Sequence, residues 1–371
     1  MSSDKKKVDD IYTYLKFRGD LDMKNHPLNE VDALIFSELS YIQFENIVPT
    51  VGEKGTITLE EAAKRYVKKE GKTSVFYARY EKLLDAMAQC PRYAGVVLSN
   101  YVSIMDEKER QQFAAIHIQI NPFLTFIAFR GTDETIVGWR EDCNMSYMMP
   151  VPAQISAVDY MNQTTKGLFQ KYIIGGHSKG GNLAIYSSVF CDAGIQNNIK
   201  AVYNFDGPGF HKKLVDNEAY IKIKDRIHTF VPEASVVGML MEHEEEYKVV
   251  KSYEIAFMQH EGLSWSVNGT EFEVVDSVDE FSNSISITLK SWLEKADYAE
   301  RKVLVDALFD VWEIGGIHNV LDFKDMNVQN TTAMIKAAAN LPKEQREIIG
   351  NLIKMWIAES KKTVVNAIKQ D

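Results

Sequence analysis

Ser178 lies in IIGGHSKGGNLA, residues 173–184, with Gly176 two positions before it and Gly180 two positions after. A serine hydroxyl becomes a strong nucleophile only when a neighbouring base takes its proton, so this residue raises the question of a partner. The G-x-S-x-G spacing alone is weak, since chance supplies it in roughly one chain in eight of this length. Its surroundings strengthen it. Lys171–Ile174 reads as a buried strand and Asn182–Phe190 as a helix, which puts Ser178 at a strand-to-helix junction. A turn that tight brings neighbouring side chains into collision, and glycines on either side relieve it. The next backbone N–H, that of Lys179, falls near a helix N-terminus, where it can stabilise developing negative charge. A phosphate-binding loop is excluded because the G-x-x-x-x-G-K-[ST] order is absent.

In hydrolases built on such a turn the base follows the serine, after an acid. Five histidines follow Ser178. His228 lies inside RIHTF, His243 in the acidic run MEHEEEY and His318 in a helical tail, and each reads as a structural histidine. His211 follows GPGF and stays open. His260 closes the segment KSYEIAFMQH, read as the last strand, and opens a loop at the sheet edge, so it is the favoured base. Two carboxylates compete to orient it. Glu233 ends RIHTFVPE, two strands after the serine, and position favours it; Asp206 ends the preceding strand in the tight turn DGPG, where it could equally cap the turn. A second oxyanion donor is expected at Thr132, where FIAFRGTDETIVGWRED leaves a strand, with Trp139, Glu141 and Asp142 anchoring that loop. The methionine-rich MSYMMPVPAQISAVDYM, residues 145–161, suggests an adaptable lid, with Met148 and Met149 contacting an acyl chain. Such chemistry needs no metal and no organic cofactor.

The elements that must carry these groups follow from periodicity. Residues 31–44 and 58–89 have apolar spacing of helices, the latter interrupted at Gly71. From residue 94, AGVVLSNYVSI, QFAAIHIQI and FLTFIAFRG are β-rich runs that open a sheet in antiparallel fashion. Strands at 171–176, 200–207, 226–233 and 251–260 then alternate with helical stretches, which implies right-handed crossovers and a largely parallel α/β sheet. From residue 279 onward the pattern is helical. The expected organisation is a helical segment over 1–93, a core over 94–278 and a helical extension over 279–371. Amphipathic helices commonly pack on their own domain; the other reading is a module for a protein partner or a membrane surface.

The 371 residues are 45% hydrophobic, enough for a large core, and the formal net charge of −10 opposes a nucleic-acid partner. Cys90, Cys143 and Cys191 match no metal spacing and read as reduced thiols. With no secretory h-region and no long apolar run, the sequence reads as cytoplasmic, without a transmembrane segment.

Taken together, FRGTDETIVGWRED, GGHSKGGNLA, NFDGPGF and QHEGLSW resemble the α/β-hydrolase superfamily, and within it the class 3 lipases and a bacterial family of lipase-like serine hydrolases. YLKFRGDL and NEVDALIFSELSY extend the resemblance over about residues 11–281. It implies an α/β-hydrolase fold, a small-molecule or lipid ester substrate, and the roles above for Ser178, His260 and the Thr132 and Lys179 amides. The chain departs from the class 3 pattern at VPEASVVG, where those lipases carry D-x-V-P, and at Lys179, where they carry an apolar residue. The sequence reading is therefore a serine esterase or lipase-like hydrolase; the alternative is an idle hydrolase scaffold that binds a protein or lipid.

Overall fold

The computed structural model describes residues 9–66, 75–106, 111–133, 140–142, 144, 145, 148–165, 167, 169–235, 237–239, 241–279, 298–318, 322, 326–343, 345–347 and 349. Its strands are β1 (Ile57–Thr58), β2 (Val97–Asp106), β3 (Gln111–Asn121), β4 (Leu124–Phe129), β5 (Lys171–His177), β6 (Ile199–Phe205), β7 (Ile227–Pro232), β8 (Tyr247–Val250), β9 (Val267–Asn268), β10 (Glu271–Phe272) and β11 (Val274–Val275). The main sheet runs β1-β2-β3-β4-β5-β6-β7-β8-β11, and β9 pairs with β10 in a separate ribbon. Pairing is antiparallel from β1 to β4, parallel from β4 to β8, and antiparallel again at β11. This is the α/β-hydrolase class that the sequence implies, with the antiparallel opening in its expected place.

Helices α1 (Ile11–Arg18), α2 (Glu30–Leu39), α3 (Leu59–Arg65) and α4 (Val75–Ala88) precede the long strands. Gly71, the expected interruption, lies outside the described residues. Asn29 caps α2 and shares a reciprocal capping box with Asp32, and Val31 to Leu39 are all buried. Helix α5 spans Pro152–Thr164 and α6 spans Lys179–Phe190. Successive strand residues face opposite sides of a sheet. A side chain at Gly175 would meet Ser37 of α2, whereas one at Gly176 would meet Gly180 of α6. The two helices therefore cover opposite faces of β5. Phe36 and Phe126, 5.4 Å apart between ring centres, fill the α2 side.

One element differs from the sequence reading. Residues 251–260 do not form the last strand; the strand is β8, Tyr247–Val250, and Ala256–His260 is a 3₁₀ turn. The chain must leave the sheet there to bring His260 back over the edge, and Ser252 instead bridges to Trp265.

Compactness divides the chain into Met1–Gly131 with Pro152–Ser286, and Thr132–Val151 with Ile287–Asp371. The sequence reading keeps Thr132–Val151 within the core and starts the extension at 279. In the second unit, α7 (Tyr298–Ile314) and α8 (Val328–Ala339) enclose Leu304, Phe309, Trp312 and Met334, and Met148 packs on that cluster. Arg140 forms an ion pair with Asp306 of α7. These contacts tie the early segment to helices more than 140 residues later in the chain, a link that local periodicity does not carry. No helix among the described residues is long and apolar enough to cross a membrane.

Candidate active site

Parallel pairing sets the site. Phe129 aligns with Gly176, and His177 with Phe205, so the carboxyl ends of β4, β5 and β6 reach one edge together. Ser178 follows β5 with φ 57° and ψ −133°, a left-handed conformation that a non-glycine residue adopts only under constraint. Its N–H donates to the Phe205 carbonyl at 2.8 Å, which fixes the turn to β6. The flanking glycines have the steric reason expected of them. A Cβ on Gly176 would stand 2.2 Å from the Gly180 carbonyl carbon, and one on Gly180 would stand 2.2 Å from the Phe129 carbonyl oxygen.

His260 Nε2 lies 2.9 Å from Ser178 Oγ, and His260 Nδ1 lies 2.6 Å from Asp206 Oδ2. A carboxylate accepts, so Nδ1 carries the proton and the Nε2 lone pair faces the serine hydroxyl. Asp206 is fully buried, and its Oδ1 accepts from the Ser235 hydroxyl at 2.5 Å and the Gly238 N–H at 3.2 Å. The carboxylate on the imidazole is thus Asp206, the alternative in the sequence reading, and not Glu233. Glu233 uses its backbone to join Val250 and Asp279. The reason is local: Asp206 adopts φ 53° immediately after β6, which turns its side chain along the sheet edge. Strand counting does not register that turn.

His260 is held through its backbone. Trp265 Nε1 donates to the Gln259 carbonyl at 2.9 Å, Gln259 Oε1 accepts from Ala234 N–H at 2.8 Å, and His177 Nε2 meets the His260 carbonyl at 2.7 Å. His177 is a participant that the sequence reading passes over, although its place in GGHS beside the serine is a signal. Burial, then the neighbouring His260, then the Arg79 charge hold the His177 imidazole well below its ordinary range, against the hydrogen bond to the His260 carbonyl. A neutral ring donating from Nε2 leaves Nδ1 as acceptor, and the Tyr41 hydroxyl lies 3.1 Å from it.

Lys179 supplies the first amide of α6, adjacent to the nucleophile. Its side chain is fully buried, and Nζ donates to the Gln112 carbonyl of β3 at 2.9 Å. The departure from an apolar residue is absorbed by a backbone acceptor. Gly131 ends the first unit, where an added Cβ would lie 3.1 Å from Ser178 Cβ. Thr132, the next residue, belongs to the second unit, is buried, and donates its hydroxyl to Asp142 Oδ2 at 2.7 Å. Trp139 lies outside the described residues. Met149 is half-buried, and the second half of the methionine-rich stretch is α5, which buries Ala153, Ala157 and Met161. Of the other histidines, His243 meets Glu245 Oε1 at 3.0 Å. Among the described residues no cluster of His, Cys, Asp or Glu is placed to hold a metal ion.

A family model described as Mbeg1-like matches residues 87–310, more than half of the chain. The chain belongs to the Mbeg1-like family. The matched stretch takes in Thr132, Ser178, Asp206 and His260. Among solved structures, the chain is similar to M37 lipase, with 16% identity, a TM-score of 0.33, and coverage of 56% of this chain and 68% of that one. It is also similar to the lipase of Rhizomucor miehei in its propeptide complex, with 13% identity, a TM-score of 0.35, and coverage of 59% and 69%. No curated protein matches the chain.

Proposed function

We propose that the protein is a serine hydrolase acting on carboxylic esters, with Ser178 as nucleophile, His260 as general base and acid, and Asp206 as the orienting carboxylate. The observation that carries this reading is the continuous chain Asp206–His260–Ser178, with links of 2.6 and 2.9 Å, ending on a serine held at φ 57° at the start of α6. Ser178 Oγ attacks the ester carbonyl carbon while its proton passes to His260 Nε2. The imidazolium is stabilised by Asp206 through Nδ1–H. The Lys179 and Thr132 amides are the proposed donors to the oxyanion. Collapse of the tetrahedral species expels the alcohol, which takes the proton from His260, and leaves an acyl group on Ser178. Water, deprotonated by His260, then releases the carboxylic acid and restores the serine.

The resemblance to class 3 lipases favours lipid or other acyl esters as substrates, with Met148 and Met149 as acyl contacts. Labelling by a fluorophosphonate probe tests the reading, because only an activated serine reacts. Wild type is expected to label at Ser178 and to hydrolyse p-nitrophenyl acetate, and Ser178→Ala to lose roughly four to six orders of magnitude in kcat. His260→Ala should resemble the serine variant rather than add to it. Folded wild type that neither labels nor turns over is instead an idle scaffold.

A further inference from the structure

Glu38, on α2, is fully buried, with the Tyr80 hydroxyl of α4 acting on its carboxyl. A buried acid is costly, and a helix facing a sheet has no structural use for one. Its surroundings point to a use. Oε1 lies 3.6 Å from His177 Nδ1, on the ring whose other nitrogen meets the His260 carbonyl. On the other side, a Cβ added to Gly262 would lie 2.3 Å from the same oxygen, so the turn after His260 closes directly onto the acid. Glu261, between those two residues, is ion-paired with Arg79 of α4.

Resting on the serine-hydrolase reading, we infer that Glu38 is a positioning residue: as a neutral acid it seats the segment from His260 to Gly262, and as an anion it unseats that segment. Burial pushes its carboxyl from an ordinary 4.5 up to about 8, against the opposing pull of the Arg79 charge and the Tyr80 hydroxyl. The titratable groups around it are Tyr12 on α1, Tyr41 just after α2, Arg79 and Tyr80 on α4, His177 on β5, and Glu261, the partner of Arg79, on the closing turn. Arg79 is the fixed cation of this group, and it is already engaged by Glu261. An ionised Glu38 competes for that guanidinium and draws it from the residue next to the catalytic imidazole. It also favours a proton on His177, whose ring centre is 4.8 Å from that of His260. Either response shifts His260 relative to Ser178 without touching substrate.

The test compares wild type, Glu38→Gln and Glu38→Ala between pH 6 and 9.5. Three readouts are used: p-nitrophenyl acetate turnover, the rate of fluorophosphonate labelling, and hydrogen–deuterium exchange of residues 259–265 corrected for intrinsic rates. Glutamine imitates the neutral acid, so Glu38→Gln should stay within about threefold of wild-type kcat at pH 7. Above pH 8, wild type should lose about tenfold in kcat with KM little changed, while Glu38→Gln stays flat. Glu38→Ala should be about tenfold slower at all pH values, because the turn loses its support. Exchange at 259–265 should rise above pH 8 in wild type and not in Glu38→Gln. A wild-type alkaline profile that Glu38→Gln reproduces, in turnover and exchange alike, overturns the inference. Absence of labelling together with the expected exchange pattern would overturn the hydrolase reading and leave the seating role of Glu38 standing.

Discussion

Two carboxyl groups lie at the same edge of the sheet, and the chain treats them in opposite ways. Asp206 receives a hydroxyl, a main-chain N–H and an imidazole. Glu38 has the Tyr80 hydroxyl beside it and is pushed toward its neutral form by burial. Both are fully buried, so exposure does not distinguish them. The difference is the supply of donors. Asp206 meets His260 at Nδ1, whereas Glu38 lies against the turn that follows His260, where the proposed seating acts through the backbone.

The sharpest way to break this comparison is to remove the charge from the supplied acid. Asp206→Asn should lower kcat by about three to four orders of magnitude at neutral pH, because an amide permits the wrong imidazole tautomer. Glu233→Gln should stay close to wild type in the same assay. If the two outcomes are exchanged, Asp206 is a turn-former and the contrast disappears.

Removing the charge-bearing capacity of Glu38 should act on stability with a definite sign. A carboxyl held up at about 8 in the fold but near 4.5 when unfolded keeps its proton in the native state over that interval. Stability is therefore complete below pH 4.5 and is lost as pH rises toward 8, by at most about 1.4 kcal/mol per pH unit. Thermal melts should place Glu38→Gln progressively above wild type from pH 5 to pH 8, and a constant gap would contradict the assignment. A smaller effect is expected at Lys179, a third buried ionisable group, whose Nζ donates to the Gln112 carbonyl. Lys179→Met should cost roughly 1–3 kcal/mol in urea unfolding, since the Gln112 carbonyl loses that donor. The smallest effect is expected at the proposed acyl contacts. Replacing Met148 and Met149 by glutamine should raise KM for decanoyl esters a few-fold more than for acetyl esters, and an unchanged chain-length profile would remove them from the binding role.

The same contrast explains what could be read from the sequence. Ser178, its glycines and the late His260 are legible because one rigid turn demands small residues at fixed spacing, and the base must follow it. The alternation of strands and helices is legible for the same local reason. Asp206 was visible in DGPG as a turn, but its role depends on a backbone angle at the end of β6 and on donors from Ser235 and Gly238, 29 and 32 residues later. Glu38 carries no sequence signal at all. It looks like any polar residue on an amphipathic helix, and only the packing of α2 against β5 and the Gly262 turn gives it an environment.

The pairing of Thr132–Val151 with the C-terminal helices also has a consequence for biosynthesis. Arg140 and Met148 leave the ribosome well before Asp306 and Phe309, their partners on α7, have been translated. At ordinary elongation rates that interval is roughly ten to thirty seconds. During it the strands on either side of the segment can pair, while its methionine-bearing surface has no helix to cover it. The nascent chain is then expected to be a client for hydrophobic-binding chaperones, and release at a stop codon placed before residue 298 should leave the protein in their hands.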